Sequence, residues 1–331
     1  MARGDGGKLV FETDDDHRVF LARLGEVCGT CGWRVHAWVL MGNHFHLLLE
    51  TPEANLSFGM KWLLGTLSQG WNRARGRRGH VFQGRYKSVP VNSSDADACY
   101  FKIVADYIHL NPARAGLAGG RQGKLASYRW SSLEAYVRGK GPVWLEMDRV
   151  LKSFELAENG RGRRAYAAWL EARAGDDGGG IDAQALAALR RGWYLGEETF
   201  NDRLLALVDE AKGIKPRKRG GPEGMVRDHG ENEAGRLIGA CLTALGLPAE
   251  ASELMAMRKG DERKSLIAAL VRSRSRTAVI TDWIAKRLHM GHPGSVSRQL
   301  GKVRIDGKLQ QNSESLKKCY DAGTPDMFIV M

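Results

Sequence analysis

The chain has 331 residues, 43% hydrophobic and 27% charged, a composition that fits a folded globular protein with room for two domains and excludes a fibrous or disordered one. Fifty Lys and Arg against 38 Asp and Glu leave a net charge of +12, so the expected partner is polyanionic, with nucleic acid ahead of a membrane because no basic amphipathic terminus is visible. No apolar run approaches the roughly 18 residues of a membrane span, the Met-Ala-Arg-Gly-Asp start lacks signal-peptide character, and five scattered cysteines make no disulfide framework, which together set a cytoplasmic default.

In chain order, Asp14, Asp15 and Asp16 cap a helix running to about Val27, with Phe20, Leu21, Leu24 and Val27 as its apolar stripe. Cys28-Gly-Thr-Cys31 has zinc-knuckle or redox spacing, but no second ligand pair follows at the usual distance. The plainer reading is the end of that helix, stopped by Gly29 and Gly32. Residues 33–41 alternate as a strand, Gly42-Asn43 is turn chemistry, and the run from His44 returns as the second arm of a hairpin. Asn55 or Ser57 opens a helix whose Met60, Leu63, Leu64, Leu67 and Trp71 recur at helical spacing, as core residues do.

Residues 73–87 hold six basic side chains, Arg73, Arg75, Arg77, Arg78, Arg85 and Lys87, and no acid, interleaved with Phe82, Tyr86 and three glycines. A solvated loop has this composition too, but a glycine-punctuated basic hairpin with aromatics also grips single-stranded nucleic acid, through phosphate contacts and base stacking. Val89 to Asn92 resumes strand character, and Asp95 caps a helix through Tyr107 to Leu110, ended by Asn111-Pro112. Helix, strand, strand, helix, strand, helix specifies an α+β fold on an antiparallel sheet.

Residues 1–140 form this first domain, and 141–212 read as a helical connecting region without evident chemistry. A basic linker at 213–224 contains Lys215, Arg217, Lys218 and Arg219. The stretch 225–310 is all-helical, and 311–331 is a tail. Within the helical stretch, Thr281-Asp282 caps a helix with Trp283, Ile284 and Leu288 inward, Met290-Gly-His-Pro-Gly294 turns, and a second helix runs from Ser295 to Val303. That is a helix-turn-helix pattern, and the surrounding 258–304 carries 12 Lys and Arg against 3 Asp and Glu. Ser295, Ser297, Arg298 and Gln299 are the residues expected to meet duplex DNA.

The chemistry concentrates around Asn43-His44-Phe45-His46-Leu47. On a strand, His44 and His46 emerge on one face while Phe45 and Leu47 pack on the other. The pair is half of a divalent-metal site or a satisfied, half-buried pair, depending on what the rest of the chain brings to it. Tyr107 and Asn111 stand four apart and so share one helix face. A tyrosine hydroxyl can attack a phosphodiester to give a phosphotyrosine, and Asn111 would complete a His-His-Asn set suited to Mg²⁺ or Mn²⁺. Tyr86 and Tyr100 are rival hydroxyls.

His44-Phe-His46 within VLMGNHFHLLLETP, HVFQGRYKS at 80–88, YIHLNPARAGL at 107–117 and WSSLEAY at 130–136 closely resemble the REP-associated tyrosine transposases, relatives of single-tyrosine HUH transposases. The similarity spans roughly residues 3 to 140. It implies a ferredoxin-like antiparallel sheet, a divalent metal on His44 and His46 with Asn111 as third ligand, and Tyr107 as the nucleophile forming a 5′-phosphotyrosine with single-stranded or hairpin DNA. The C-terminal helix-turn-helix resembles a duplex-binding module appended in some relatives. No membrane partner is implied, and monomer and dimer are both compatible.

Two departures from the family pattern carry expectations. Gly42 replaces a usual proline in the turn. The family also has a strand ahead of the loop that resembles Arg3-Gly4, which this sequence does not supply. The His-bearing strand is therefore expected to have an unpaired edge, the chain either to start upstream or to be an inactive remnant, and a non-catalytic DNA-binding regulator is the alternative function.

Overall fold

The computed structural model describes residues 1–92, 98–175, 194–212, 222–274, 281–303 and 327–330. The chain divides into two compact units, one of residues 1–217 with 325–331 and one of 218–324.

The first unit begins with β1 (Ala2–Arg3) and α1 (Asp14–Cys31). The cap of α1 is Thr13, one residue ahead of the expected aspartates. Its hydroxyl accepts from the Asp16 amide and the Asp16 carboxylate accepts in return, a capping box that leaves Asp14 and Asp15 as first-turn acids favoured by the helix dipole. The helix runs through Gly29, because Cys28 and Cys31 extend its buried stripe. It ends at Gly32, whose φ of 69° is the left-handed C-cap that glycine favours. Both cysteines are buried, and neither is in a disulfide among the described residues.

β2 (Arg34–Met41) and β3 (His44–Glu50) form the expected hairpin, with Met41 opposite His44 and a bulge between Val35 and Ala37. α2 (Leu56–Ala74) follows, then β4 (Ser88–Val91) and α3 (Ala98–His109). Asn55, ahead of α2, spends its side chain on the core, accepting from Trp33 Nε1 and donating to the Cys31 carbonyl, both at 2.8 Å. The cap expected at Asp95 lies outside the described residues. Asn111-Pro112 does not stop the chain. A further helical turn, α4 (Asn111–Arg114), starts there, because a proline in a first turn lacks only an N–H that would have no partner.

The remaining elements of this unit are α5 (Leu133–Arg138), α6 (Asp148–Ser153), α7 (Gly160–Ala174) and α8 (Glu198–Lys212). In the second unit come α9 (Pro222–Ala244), α10 (Ala251–Ala256), α11 (Glu262–Arg274), α12 (Thr281–Arg287) and α13 (Pro293–Val303). The last element, β5 (Met327–Val330), returns to the first unit.

β3 lies inside the sheet. β2 pairs antiparallel along one side. On the other side β1 covers its start, Arg3 opposite His44 and Ala2 opposite Phe45, and β5 covers its end, Val330 opposite Leu47 to Met327 opposite Glu50. β4 pairs with β5 in turn, and Met1 and Lys87 exchange two backbone bonds of 2.8 Å. β1 and β5 thus run the same way in one slot between β3 and β4. This corrects the expected open edge: β1 pairs with His44 and Phe45, and Met327–Val330 pairs with Leu47 to Glu50.

Phe45 meets Phe20 of α1 and Phe82 on one face of the sheet. On the other face Ala37, Val39, Met41 and Leu48 join Phe101, Val104, Ala105, Tyr107 and Ile108 of α3 in one core. Tyr136, Val150, Leu151, Tyr166 and Leu170 belong to the same core, so residues up to 175 cover α3 rather than merely connecting domains. The second unit has its own core, including Leu237, Ile238, Cys241, Ile267, Leu270, Val271, Ile284, Leu288, Met290 and Val296. No helix among the described residues is long and apolar enough to cross a membrane.

Candidate functional site

β3 delivers the two imidazoles as strand alternation requires. The His44 and His46 rings stand 5.0 Å apart, edge to face, and the Tyr107 ring of α3 meets His46 edge-on at 5.3 Å. Leu110 keeps right-handed helical dihedrals and its amide bonds the Asp106 carbonyl at 2.8 Å, so the path from α3 into α4 stays close to helical. Asn111 remains one turn beyond Tyr107, buried, with its amide nitrogen 3.4 Å from the Tyr107 carbonyl and its Oδ1 unused by that bond.

Burial first, then the positive charge of Arg3 and of the chain's amino group, hold His44 near pKa 4. Burial pushes His46 well below 6.5, with the amino group, His44, Arg3 and Arg114 adding to it. Both rings are therefore neutral at physiological pH, the form that ligates metals. His44 Nδ1 bonds Asn43 Oδ1 at 2.7 Å, which makes Nδ1 the donor and leaves Nε2 as a lone pair. Among the described residues His46 Nδ1 is buried with no hydrogen-bond partner, a costly state that a ligand would relieve. Two neutral imidazoles and an amide carbonyl fit a divalent cation. Among the described residues no group of three or more His, Cys, Asp and Glu could hold a metal ion.

Tyr100 packs against the core of α3. The Tyr86 hydroxyl lies 3.4 Å from Ser57 Oγ. Of the three hydroxyls considered, Tyr107 has its ring against a member of the histidine pair.

Two groups beside the cluster do not stand out from the sequence. Arg114 stacks its guanidinium over the Tyr107 ring at 4.9 Å. Its signal was available, since 107, 111 and 114 fall at i, i+4 and i+7. Asn43, which orients His44, reads only as a turn residue.

The basic segment is divided by the fold. Arg73, Arg77, Arg78 and Arg85 are exposed, and Tyr86 and Lys87 are half-buried. Arg75 is tied down, 2.6 Å from Asp16 and 3.4 Å from Glu12, and Arg77 also reaches Glu12 at 2.7 Å. Phe82 is buried against Phe45 and Trp71 and is not available for stacking. In the second unit Ser297 and Arg298 of α13 are exposed and Ser295 is half-buried, while Gln299 Oε1 accepts from Ser265 of α11 at 2.6 Å.

No curated protein sequence and no solved structure matches the chain. Residues 8–111, a stretch ending at Asn111, match the family model described as transposase IS200 like. The segment that carries His44, His46, Tyr107 and Asn111 is therefore similar to the IS200-like transposases, a family that handles DNA.

Proposed function

We propose that this protein is a metal-dependent single-stranded DNA endonuclease and strand transferase of the REP-associated HUH type, acting on hairpin-forming DNA. The observation that carries the reading is the contact of the Tyr107 ring with His46, itself packed against His44. The strand order β2, β3, then β1 with β5, then β4 supports the ferredoxin-like part of the reading.

In the reaction the Tyr107 phenolic oxygen bonds to phosphorus and the bond from phosphorus to the 3′ oxygen breaks. The 5′ phosphate stays on Tyr107, and the proton lost by the phenol is balanced by the one gained at the leaving 3′ hydroxyl. The phosphotyrosine conserves the bond energy, so a 3′ hydroxyl can reverse the step and rejoin DNA. A bound Mg²⁺ or Mn²⁺ would supply Lewis-acid polarisation of the phosphate. His44, His46 and Asn111 would hold it, with Asn43 fixing the His44 ring. The helical path from Tyr107 to Asn111 keeps nucleophile and ligand in register.

Exposed Arg73, Arg77, Arg78 and Arg85, with Tyr86 and Lys87, grip the single strand. Helices α12 and α13 act as a helix-turn-helix on duplex DNA, led by Ser295, Ser297 and Arg298. The charge of 258–304 favours that role, and Gln299 contributes through α11 packing as much as through DNA.

The test incubates labelled hairpin-forming oligonucleotides with Mn²⁺ and the full chain, followed by a denaturing gel. A covalent adduct is expected from the wild type and none from Tyr107→Phe, with DNA affinity unchanged. Equal adduct from the variant would move the role to Tyr100 or Tyr86. Tight binding without any adduct from the wild type would favour the non-catalytic regulator.

A further inference from the structure

Tyr107 lies between two buried polar residues of its own helix that take no part in the histidine cluster. The Asp106 carboxylate, 2% exposed, pairs with the Arg173 guanidinium and accepts from Trp169 Nε1 at 3.3 Å. The His109 ring is fully buried, with Nδ1 2.8 Å from the Tyr166 hydroxyl and Nε2 2.7 Å from Ser132 Oγ. Ser132 is itself bonded to the Trp38 amide and carbonyl of β2. Asp106 and His109 stand three apart on α3, and Tyr166, Trp169 and Arg173 follow one another at i, i+3 and i+7 on α7. Two helix faces therefore meet through polar groups on both sides of the nucleophile.

Apolar residues of similar volume would fill this interface at least as stably, since burying a carboxylate and an imidazole is costly even when both are paired. Directional bonds do what apolar packing cannot: they fix the rotation and axial position of α3. The turn held in this way carries Tyr107, and displacement of a reacting group by about 1 Å can cost on the order of 100-fold in rate. The α7 side of the clamp, Tyr166, Trp169 and Arg173, lies beyond residue 111, where the transposase match ends.

We infer that α7 is a positioning element for the nucleophile helix, with Tyr166 and Arg173 as positioning residues acting through His109 and Asp106. The inference rests on the reading of Tyr107 as nucleophile. The groups facing the Asp106 carboxyl are Arg173, Trp169 and Tyr166 from α7 and Lys102 from its own helix. Burial raises this carboxyl to about 6, and Arg173 and the Trp169 bond restrain the rise.

The test uses the full chain carrying Tyr166→Phe, Arg173→Gln or Arg173→Lys. Three quantities are measured: the single-turnover adduct rate, the Kd for the same hairpin oligonucleotide, and amide hydrogen exchange along α3. Tyr166→Phe and Arg173→Gln are expected to lower the rate about 10-fold or more. The Kd should hold within about two-fold, α3 exchange should rise, and β2 and β3 exchange should not change. Arg173→Lys should restore most of the rate, and in Arg173→Gln the Asp106 carboxyl should titrate above 6. Unchanged rate and exchange in both variants would overturn the inference, as would a fall in rate matched by equal losses of DNA affinity and of protection throughout the unit. If the wild type made no adduct while α3 exchange still rose in the variants, the clamp would stand and the nuclease reading would fall.

Discussion

Asp106→Asn should reveal a carboxyl that the fold prefers protonated. Burial, opposed by Arg173, Trp169 and Lys102, holds this group at about 6 against an ordinary 3.8. A pKa raised in the folded state contributes stability that is complete below the unfolded value of 3.8 and is lost as pH rises through 6. A shift of about two units corresponds to about 3 kcal/mol, and with the side chain 3% exposed there is little solvent screening to discount. Asparagine cannot ionise. The unfolding free energy of the wild type relative to the variant should therefore improve by about 3 kcal/mol on going from about pH 7.5 to about 3.5, mostly between about pH 6 and 4. Loss of the charged partner of Arg173 adds an offset at neutral pH, against the variant. His44 near 4 and His109 near 3 titrate with the opposite sign, losing stability as pH falls, but they do so in both proteins and cancel in the difference. Urea unfolding at a series of pH values, followed by exchange at α3 amides to isolate the first unit, measures it. Parallel stability curves for the two proteins would refute the argument.

Three further outcomes are expected. His44→Ala and His46→Ala should each cut adduct formation by about 100-fold or more, and persistence of cleavage in these variants or in excess chelator would exclude metal assistance. Ile329→Pro removes a ladder donor from a strand paired on both sides and should cost about 2–4 kcal/mol, read as faster exchange of the Leu47 to Glu50 amides; unchanged protection there would mean that β5 does not support β3. Neutralising Arg85 and Lys87 should weaken single-strand binding and flatten its salt slope by about 0.7 for each phosphate no longer neutralised, whereas an unaltered slope by fluorescence anisotropy would put the strand elsewhere.

The hairpin, its turn and the shared face of His44 and His46 were legible in the sequence because strand alternation and turn chemistry are local, and a period of two leaves no other arrangement once Phe45 is buried. The spacing of Tyr107 and Asn111 was legible for the same reason, as helical periodicity. It extended to Arg114, which lies on the separate helical turn that begins at Asn111-Pro112. What brings Tyr107 to His46 is not local: it depends on α3 packing across Leu48 and Met41, more than fifty residues away in sequence. The fate of the basic segment was also a tertiary matter, since Arg75 looks like its neighbours until α1 places Asp16 beside it. The largest difference concerns the edge of β3. Four residues near the end of the chain, with no local signal beyond β-propensity, take the slot beside β3 ahead of Ala2–Arg3. Backbone pairing is satisfied by any strand of suitable register and carries no information about where in the chain that strand is encoded.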